Sequence, residues 1–195
     1  MPGAPRGPYA KTAAQRDRIL DAAMQVFARS GGRGASLREV AERVGMSEAG
    51  VLHHFGSKRE LLLAVLDRYD RQEAAIDHPD TLPGNAAYAR DLLTRGADKP
   101  GLFRLLITLA AEATDPDHPA HQYFVDRYAR TADTFAASLR SAVNGRTDVD
   151  IEALAHLVIA VLDGLQLQKL LNDDVDVLRS FDLLTQALIN TYAAP

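Results

Sequence analysis

Between Ser36 and Leu61 the chain reads SLREVAERVGMSEAGVLHHFGSKREL, and this stretch limits the possible folds more than any other because it holds three helix starts and one tight turn. Ser36 with Glu39, and Ser57 with Glu60, have the spacing of capping boxes, in which the two side chains satisfy backbone donors that a first helical turn leaves unpaired. Ser47 is a third N-cap. Gly45 stands where a chain leaving a helix takes up a left-handed conformation, which a Cβ penalises. The pattern predicts a helix over 37–44, a turn over 45–47 and a helix over 48–54. Ala41, four residues before the glycine, is small enough for close helix approach, and Val51, six after it, is apolar enough to pack under the turn. Two short helices joined in this way form a helix-turn-helix, whose second helix enters the major groove of DNA.

The flanking sequence supplies the rest of such a unit. Residues 1–11, with three prolines, two glycines, Arg6 and Lys11, read as a mobile basic arm or an inert tail. Thr12 and Gln15 have capping spacing, and Ile19, Leu20, Ala23, Val26 and Phe27 then form an apolar helical face that Gly31 and Gly32 are expected to end near Arg29. That face can close against Leu37, Val40, Ala41, Val44, Val51, Leu52 and Phe55. From Lys58 a fourth helix runs without a breaker to about Ala75, so the domain boundary is placed inside it, with residues 1–60 as one domain and 61–195 as another. After a loop over 77–85, helical stretches follow at about 86–96, 100–113, 119–143, 150–171 and 175–192, punctuated by Gly96, the DPDHP turn, Gly145 and Asn172–Asp174. No alternating run of four or more residues occurs. The expected fold class is all-α, with about nine helices.

Charge divides along the same line. The net charge of −4 hides 10 Lys+Arg against 6 Asp+Glu in residues 1–60 and 12 against 20 in residues 61–195. Phosphate responds to the local field, so an acidic second domain does not veto DNA binding. There is no cysteine, hence no disulfide, thiol nucleophile or cysteine-held zinc. The N-terminal segment lacks the apolar core of a signal peptide, and no apolar run is expected to reach the roughly 20 residues a bilayer requires, which points to a soluble, cytoplasmic protein without a membrane partner.

In the second domain, IEALAHLVIAVLDGLQLQKLL is apolar on more than one face. Leu154, Leu157, Val158, Val161, Leu162 and Leu165 form one stripe, and Phe181, Leu184, Leu188 and Ile189 form another. Helices of this kind are buried on two sides. The stripes are therefore expected either to meet a symmetry mate in a homodimer or to close one intrachain core. Asp115, Asp117, His118 and His121 lie close in sequence, but the segment reads as a turn opening a helix, and no metal or cofactor is expected. His156, among leucines, reads as a core or interface histidine. No phosphate loop, nucleophile elbow or H-E-x-x-H occurs, so an enzyme is not expected; a helical-bundle enzyme using carboxylates and His156 is the remote alternative.

Geometry assigns roles within the reader. Ser47, Glu48, Ala49 and Gly50 at the start of the second helix, with His53, would face base edges, although Glu48 can instead cap its own helix. Lys58 sits at a helix N-terminus, where amides and a cation converge on one phosphate. His54 would donate to a neighbouring phosphate or pack beside Phe55, and Ser36 lies at the start of the first reader helix.

From about Arg18 to Leu66 the sequence resembles the DNA-binding domain of the TetR/AcrR family, above all in Val51-Leu52-His53-His54-Phe55-Gly56-Ser57-Lys58-Arg59-Glu60-Leu61. It departs at Leu52, where the family usually has tyrosine, so the tyrosine's DNA contact does not carry over. The resemblance implies that Arg38 reaches a guanine or a phosphate, in preference to the alternative of a solvated arginine. It also implies a homodimer on a palindromic double-stranded operator and a small-molecule pocket in the second domain, and DGLQLQKLLNDDVD is similar to the family's dimerising last two helices. The expected pocket residues are Leu66, Tyr69, Tyr88, Leu92, Phe103, Leu106, Ile107, Tyr128, Phe135 and Gln166, for an apolar or aromatic effector. The resulting expectation is a regulator, a repressor in preference to an activator, released from DNA by its effector through the fourth helix; a regulator without an effector is the alternative.

Overall fold

The computed structural model describes residues 8–34, 36–75, 81–143 and 147–193. Among these, nine α-helices and no strand occur, and the chain divides into two compact units, Met1–Ile76 and Asp77–Pro195. The division falls after the fourth helix and not at residues 60 and 61.

The first unit contains α1 (Pro8–Gly34), α2 (Leu37–Val44), α3 (Glu48–Phe55) and α4 (Lys58–Ala74). Ile19, Ala23, Val26 and Phe27 of α1, Val40 and Ala41 of α2, and Val51 and Phe55 of α3 are buried together with Leu61, Val65, Leu66 and Tyr69 of α4. Helix α4 packs on α1 and α3, and each large side chain so buried contributes about 1.5–3 kcal/mol. Arg68 adds two ion pairs from α4 to α1, at 2.8 Å to Asp17 and 2.7 Å to Asp21. That packing explains why the boundary follows α4.

Two expectations for α1 are corrected. The helix begins at Pro8, where a proline loses nothing because first-turn amides have no helical partner. Thr12 is therefore inside the helix and not its cap, and only residues 1–7 of the expected arm lie outside the described residues. At the other end the helix continues through Gly31 and Gly32 to Gly34, since an interior glycine costs only about 1 kcal/mol and does not oblige a helix to stop.

The second unit contains α5 (Leu82–Asp98), α6 (Pro100–Glu112), α7 (His121–Ala142), α8 (Ile151–Leu171) and α9 (Val177–Leu188), which ends in a π-helical turn, Ile189–Ala193. The expected loop over 77–85 is shorter: Thr81 Oγ1 accepts the Gly84 N–H at 3.1 Å and Pro83 fits the first turn, so α5 starts at Leu82. Residues 77–80, the rest of that loop, lie outside the described residues, as does Gly145. Gly96 does not end α5. Its missing side chain makes room for the Phe103 ring, which a Cβ would meet at 3.0 Å. Asn85 and Ser138, both buried, join α5 to α7 by an amide-to-hydroxyl hydrogen bond.

Helix α8 is the centre of this unit. At 21 residues it is long and apolar enough, by length and composition alone, to cross a membrane, contrary to the expectation that no segment reaches that measure. A core helix passes the same test, and Leu154, Ala155, Val158, Ile159, Leu162 and Leu165 of α8 are buried here. Val158, Leu162 and Leu165 pack with Ala89, Leu93, Val177 and Phe181 of α5 and α9, and Leu154 packs with Ala136 and Leu139 of α7.

Candidate nucleic-acid interface

Three serine caps build the reader. Ser36 Oγ accepts the Glu39 N–H at 3.0 Å, Ser47 Oγ the Gly50 N–H at 3.1 Å and Ser57 Oγ the Glu60 N–H at 3.1 Å. Between α2 and α3, Gly45 takes φ 68° and ψ 36°. Its N–H bonds to the Glu42 carbonyl at 3.3 Å, and the Met46 N–H reaches back to Ala41 at 2.9 Å. This pair of bonds is a Schellman closure, and it sets the angle at which α3 leaves α2. Gly56 ends α3 at φ 82°, with its N–H bonded to the Leu52 carbonyl at 2.6 Å.

On the outside of this turn, Ser36, Arg38, Ser47, Glu48, Ala49, His53 and Lys58 are exposed, and Gly50 and His54 are half-buried. The structure thus brings the sequence-predicted contact residues onto the α2–α3–α4 segment with their side chains accessible. Arg38 Nε pairs with Glu42 at 2.8 Å; that hydrogen bond, and then the charge of Glu42, hold the guanidinium above its usual pKa. Its exposed pairing allows exchange for a phosphate or a base edge at little cost. The His53 and His54 rings meet edge to face at 6.0 Å. Leu52, where tyrosine was expected, is half-buried and offers no polar group. Sequence reasoning missed Gln15 and Arg16, which reach from α1 to the two ends of α3: Gln15 Nε2 lies 3.0 Å from Met46 Sδ, and Arg16 donates to the His54 carbonyl.

Of the ten expected pocket residues, four line described cavities, which are three different ones. Tyr128 lines an open cleft of about 590 Å³ among α6, α7 and α8, with Ala110, Thr114, His121, Phe124, Asp133, Glu152 and His156. Phe103 and Gln166 line a second, of about 330 Å³, with Leu93, Lys169 and Leu170. Phe135 borders an apolar void of only about 30 Å³. Leu66 and Tyr69 are buried residues of α4, within the first unit's bounds. Tyr88 stacks loosely under Arg95 at 5.9 Å, Leu106 is buried, and Leu92 and Ile107 are half-buried. Helical spacing placed these residues inward but could not say which helices would face one another. Beside the larger cleft, Tyr128 Oη donates to Asp163 Oδ2 at 2.7 Å. Burial pushes both groups up, the tyrosine further because the carboxylate holds its proton.

The expected dimer residues are also relocated. Leu154, Val158, Leu162, Leu165 and Phe181 are buried within the chain, Val161 and Leu188 pack partly against the same clusters and Leu184 is half-buried, so most of both stripes lies in the intrachain core. The exposed large apolar side chains described on these two helices are Leu157, Leu167 and Leu171 on α8 and Leu183 on α9. His156 is exposed at the cleft and is not a core residue. His118 and His121 serve the α6–α7 turn: His118 Nδ1 accepts the Ala120 N–H at 3.2 Å, and His121 Nδ1 bonds to the Ala113 carbonyl at 2.9 Å. Among the described residues no group of three or more potential ligands could hold a metal.

A capped helix-turn-helix on a four-helix unit, followed by a five-helix unit, defines a DNA-binding transcriptional regulator. The comparisons give its family: residues 19–65 match bacterial regulatory proteins of the tetR family, residues 86–190 match the C-terminal domain of BetI-type transcriptional repressors, and the chain belongs to the TetR family. It is 31% identical over 183 residues to the HTH-type transcriptional repressor AcnR of Corynebacterium diphtheriae, covering 89% of this chain and 91% of that protein. A TetR transcription regulator from Haloarcula marismortui superposes with a TM-score of 0.75 at 20% identity, over 92% of this chain and 98% of that one. A transcriptional regulator from Saccharomonospora viridis, solved in complex with choline, gives 0.70 at 26% identity over 91% and 96%. Regulators of this family bind operator DNA and act as dimers with small-molecule effectors, and they are not enzymes.

Proposed function

We propose that this chain is a cytoplasmic repressor that occupies a palindromic operator as a homodimer and leaves it when a small, largely apolar or aromatic ligand binds the second unit. The observation that carries the reading is the exposed set on the capped reader: Arg38, Ser47, Glu48, Ala49, His53 and Lys58 share one accessible segment, with Ser36, Gly50 and His54 beside them. Arg38 and His53 reach base edges, and Lys58, at the N-terminus of α4, holds a phosphate. Catalysis has no part in this reading.

The dimer interface follows from what the core leaves uncovered. On α8, Ala153, Leu157, Ala160, Gly164, Leu167 and Leu171 recur at alternating spacings of four and three; all are exposed except the half-buried Gly164. That is the seam of a two-helix packing, in which small residues let backbones approach and leucines fill the gaps. Leu183 and Ala187 extend it onto α9.

For the effector, the cleft of about 590 Å³ lies in the range that encloses a drug-sized molecule, and Phe124, Val125, Tyr128 and four alanines supply its apolar wall. Asp163 favours a second reading, an effector with a cationic centre. Its carboxylate accepts the Tyr128 hydroxyl and lies half-buried in the field of Arg127. An ammonium group would compensate that charge, and choline is the ligand in the related Saccharomonospora viridis structure.

The test is binding of the purified chain to DNA from beside its own gene, followed by a thermal-shift screen of aromatic compounds and quaternary ammonium ions. Failure to prefer any such DNA over random duplex ends the reading. A shift by choline that is lost in Asp163→Asn selects the cationic effector, and shifts by uncharged aromatics alone select the apolar one.

A further inference from the structure

Helix α3 is eight residues long, too short to hold its own orientation, and its ends are held from outside by two neighbouring residues of α1. At the C-terminal end, the Arg16 guanidinium lies over the Phe55 ring at 4.0 Å from the centroid and donates to the His54 carbonyl. That carbonyl is one of the acceptors a helix end leaves unpaired, and a cation there also opposes the partial negative charge of the terminus. At the N-terminal end, Gln15 Nε2 lies 3.0 Å from the sulfur of Met46, the residue before the cap Ser47. Met46 in turn bears on α3: a Cβ on Gly50 would come within 3.2 Å of Met46 Cε.

We propose that Gln15 and Arg16 are positioning residues that bracket the recognition helix at both ends and fix its angle and axial position for operator reading. The inference rests on the reading of α3 as the helix that enters the major groove. Arg16 is exposed, so the competing role is a direct phosphate contact, and the two roles separate in measurement. A phosphate contact supplies sequence-independent affinity and one released counterion, whereas a bracket supplies neither and acts on the match between α3 and base edges.

The experiment uses the full chain and fluorescence anisotropy with operator and random duplexes across a salt series. The variants are Arg16→Ala, Arg16→Lys and Gln15→Ala. Positioning predicts that Arg16→Ala weakens operator binding about tenfold, the scale of one cation–π contact plus one hydrogen bond at a helix end. Random-duplex affinity and the salt slope stay at wild-type values, and Arg16→Lys does not rescue because an ammonium cannot lie flat on Phe55 while reaching the carbonyl. Gln15→Ala lowers operator preference in the same sense. A slope smaller by about one, with equal losses on both duplexes and recovery in Arg16→Lys, overturns the proposal in favour of a phosphate contact. Operator affinity unchanged in Arg16→Ala and Gln15→Ala overturns it outright. Absence of operator preference in the wild-type chain is instead a failure of the underlying DNA-binding reading. Should Arg16→Ala not fold, Arg16→Lys and Gln15→Ala give the same discrimination.

Discussion

Gly164 separates the two possible fates of the outer face of α8, because the fold and the dimer respond to it with opposite sign. A Cβ added there meets nothing within 4 Å in the chain, so the substitution is free of internal clash. Gly164→Ala in a helix interior then stabilises the fold by about 1 kcal/mol through propensity alone. In a unit of this size that raises the melting temperature by about 3–6 °C. If the face packs against its symmetry mate, the added side chain is an overpacking at the closest approach of two backbones, which costs about 1–3 kcal/mol at each site. Symmetry places the substitution on both protomers, so Gly164→Leu weakens the dimer by about 2–6 kcal/mol, or at least about 30-fold in dissociation constant. Sedimentation velocity over a dilution series reads the dissociation constant, and circular dichroism at a concentration where the variant is monomeric reads the fold. The expected result is a folded, largely monomeric Gly164→Leu protein with weakened operator binding. A variant that keeps the wild-type dimer constant removes α8 from the interface.

Other perturbations test the reader and the buried acid. Lys58→Ala should weaken operator binding with a salt slope smaller by about one and an unchanged order of preference among operator variants, measured by anisotropy; an altered base preference refutes the phosphate assignment. Asp163→Asn should melt higher than wild type at neutral pH. Burial raises the folded-state pKa of Asp163, ahead of the lowering by the Tyr128 hydrogen bond, so its contribution to stability is fully present below the ordinary aspartate value and is lost as pH rises through the folded one. The advantage of asparagine should therefore vanish in acid, and a difference in melting temperature that is flat with pH contradicts the burial argument.

What could be read from the chain, and what could not, follows the range of the interactions. Helices α2, α3 and α4 begin at Leu37, Glu48 and Lys58 as the three serine caps require, because a cap is decided within four residues. The glycines are less legible for the converse reason. Gly45 has φ 68°, a local demand for glycine, whereas Gly96 is present for the Phe103 ring of the next helix, and no spacing rule within α5 reports that. Arg16 carries no local signal either, since its partners lie 38 and 39 positions away at His54 and Phe55.

Helix α8 marks the limit most sharply. Leu154, Val158, Leu162 and Leu165 alternate along it with Ala153, Leu157, Ala160, Gly164 and Leu167, so apolar residues occupy nearly every angle around its axis and periodicity cannot choose between core and outer face. The choice is made by neighbours. Helices α5, α7 and α9 cover the side bearing Leu154, Val158, Leu162 and Leu165, where Ala155 is the one small residue buried, and they leave outside the side where alanine and glycine interrupt the leucines. That difference in side-chain size is the trace the sequence does hold: a core face is filled by bulk, whereas a face that must admit another helix backbone is cut back at regular intervals. The same contrast makes Gly164 a sharper probe of the proposed dimer than any leucine on the stripe, since a leucine-to-alanine change only empties space while a side chain at Gly164 would displace a helix packed there.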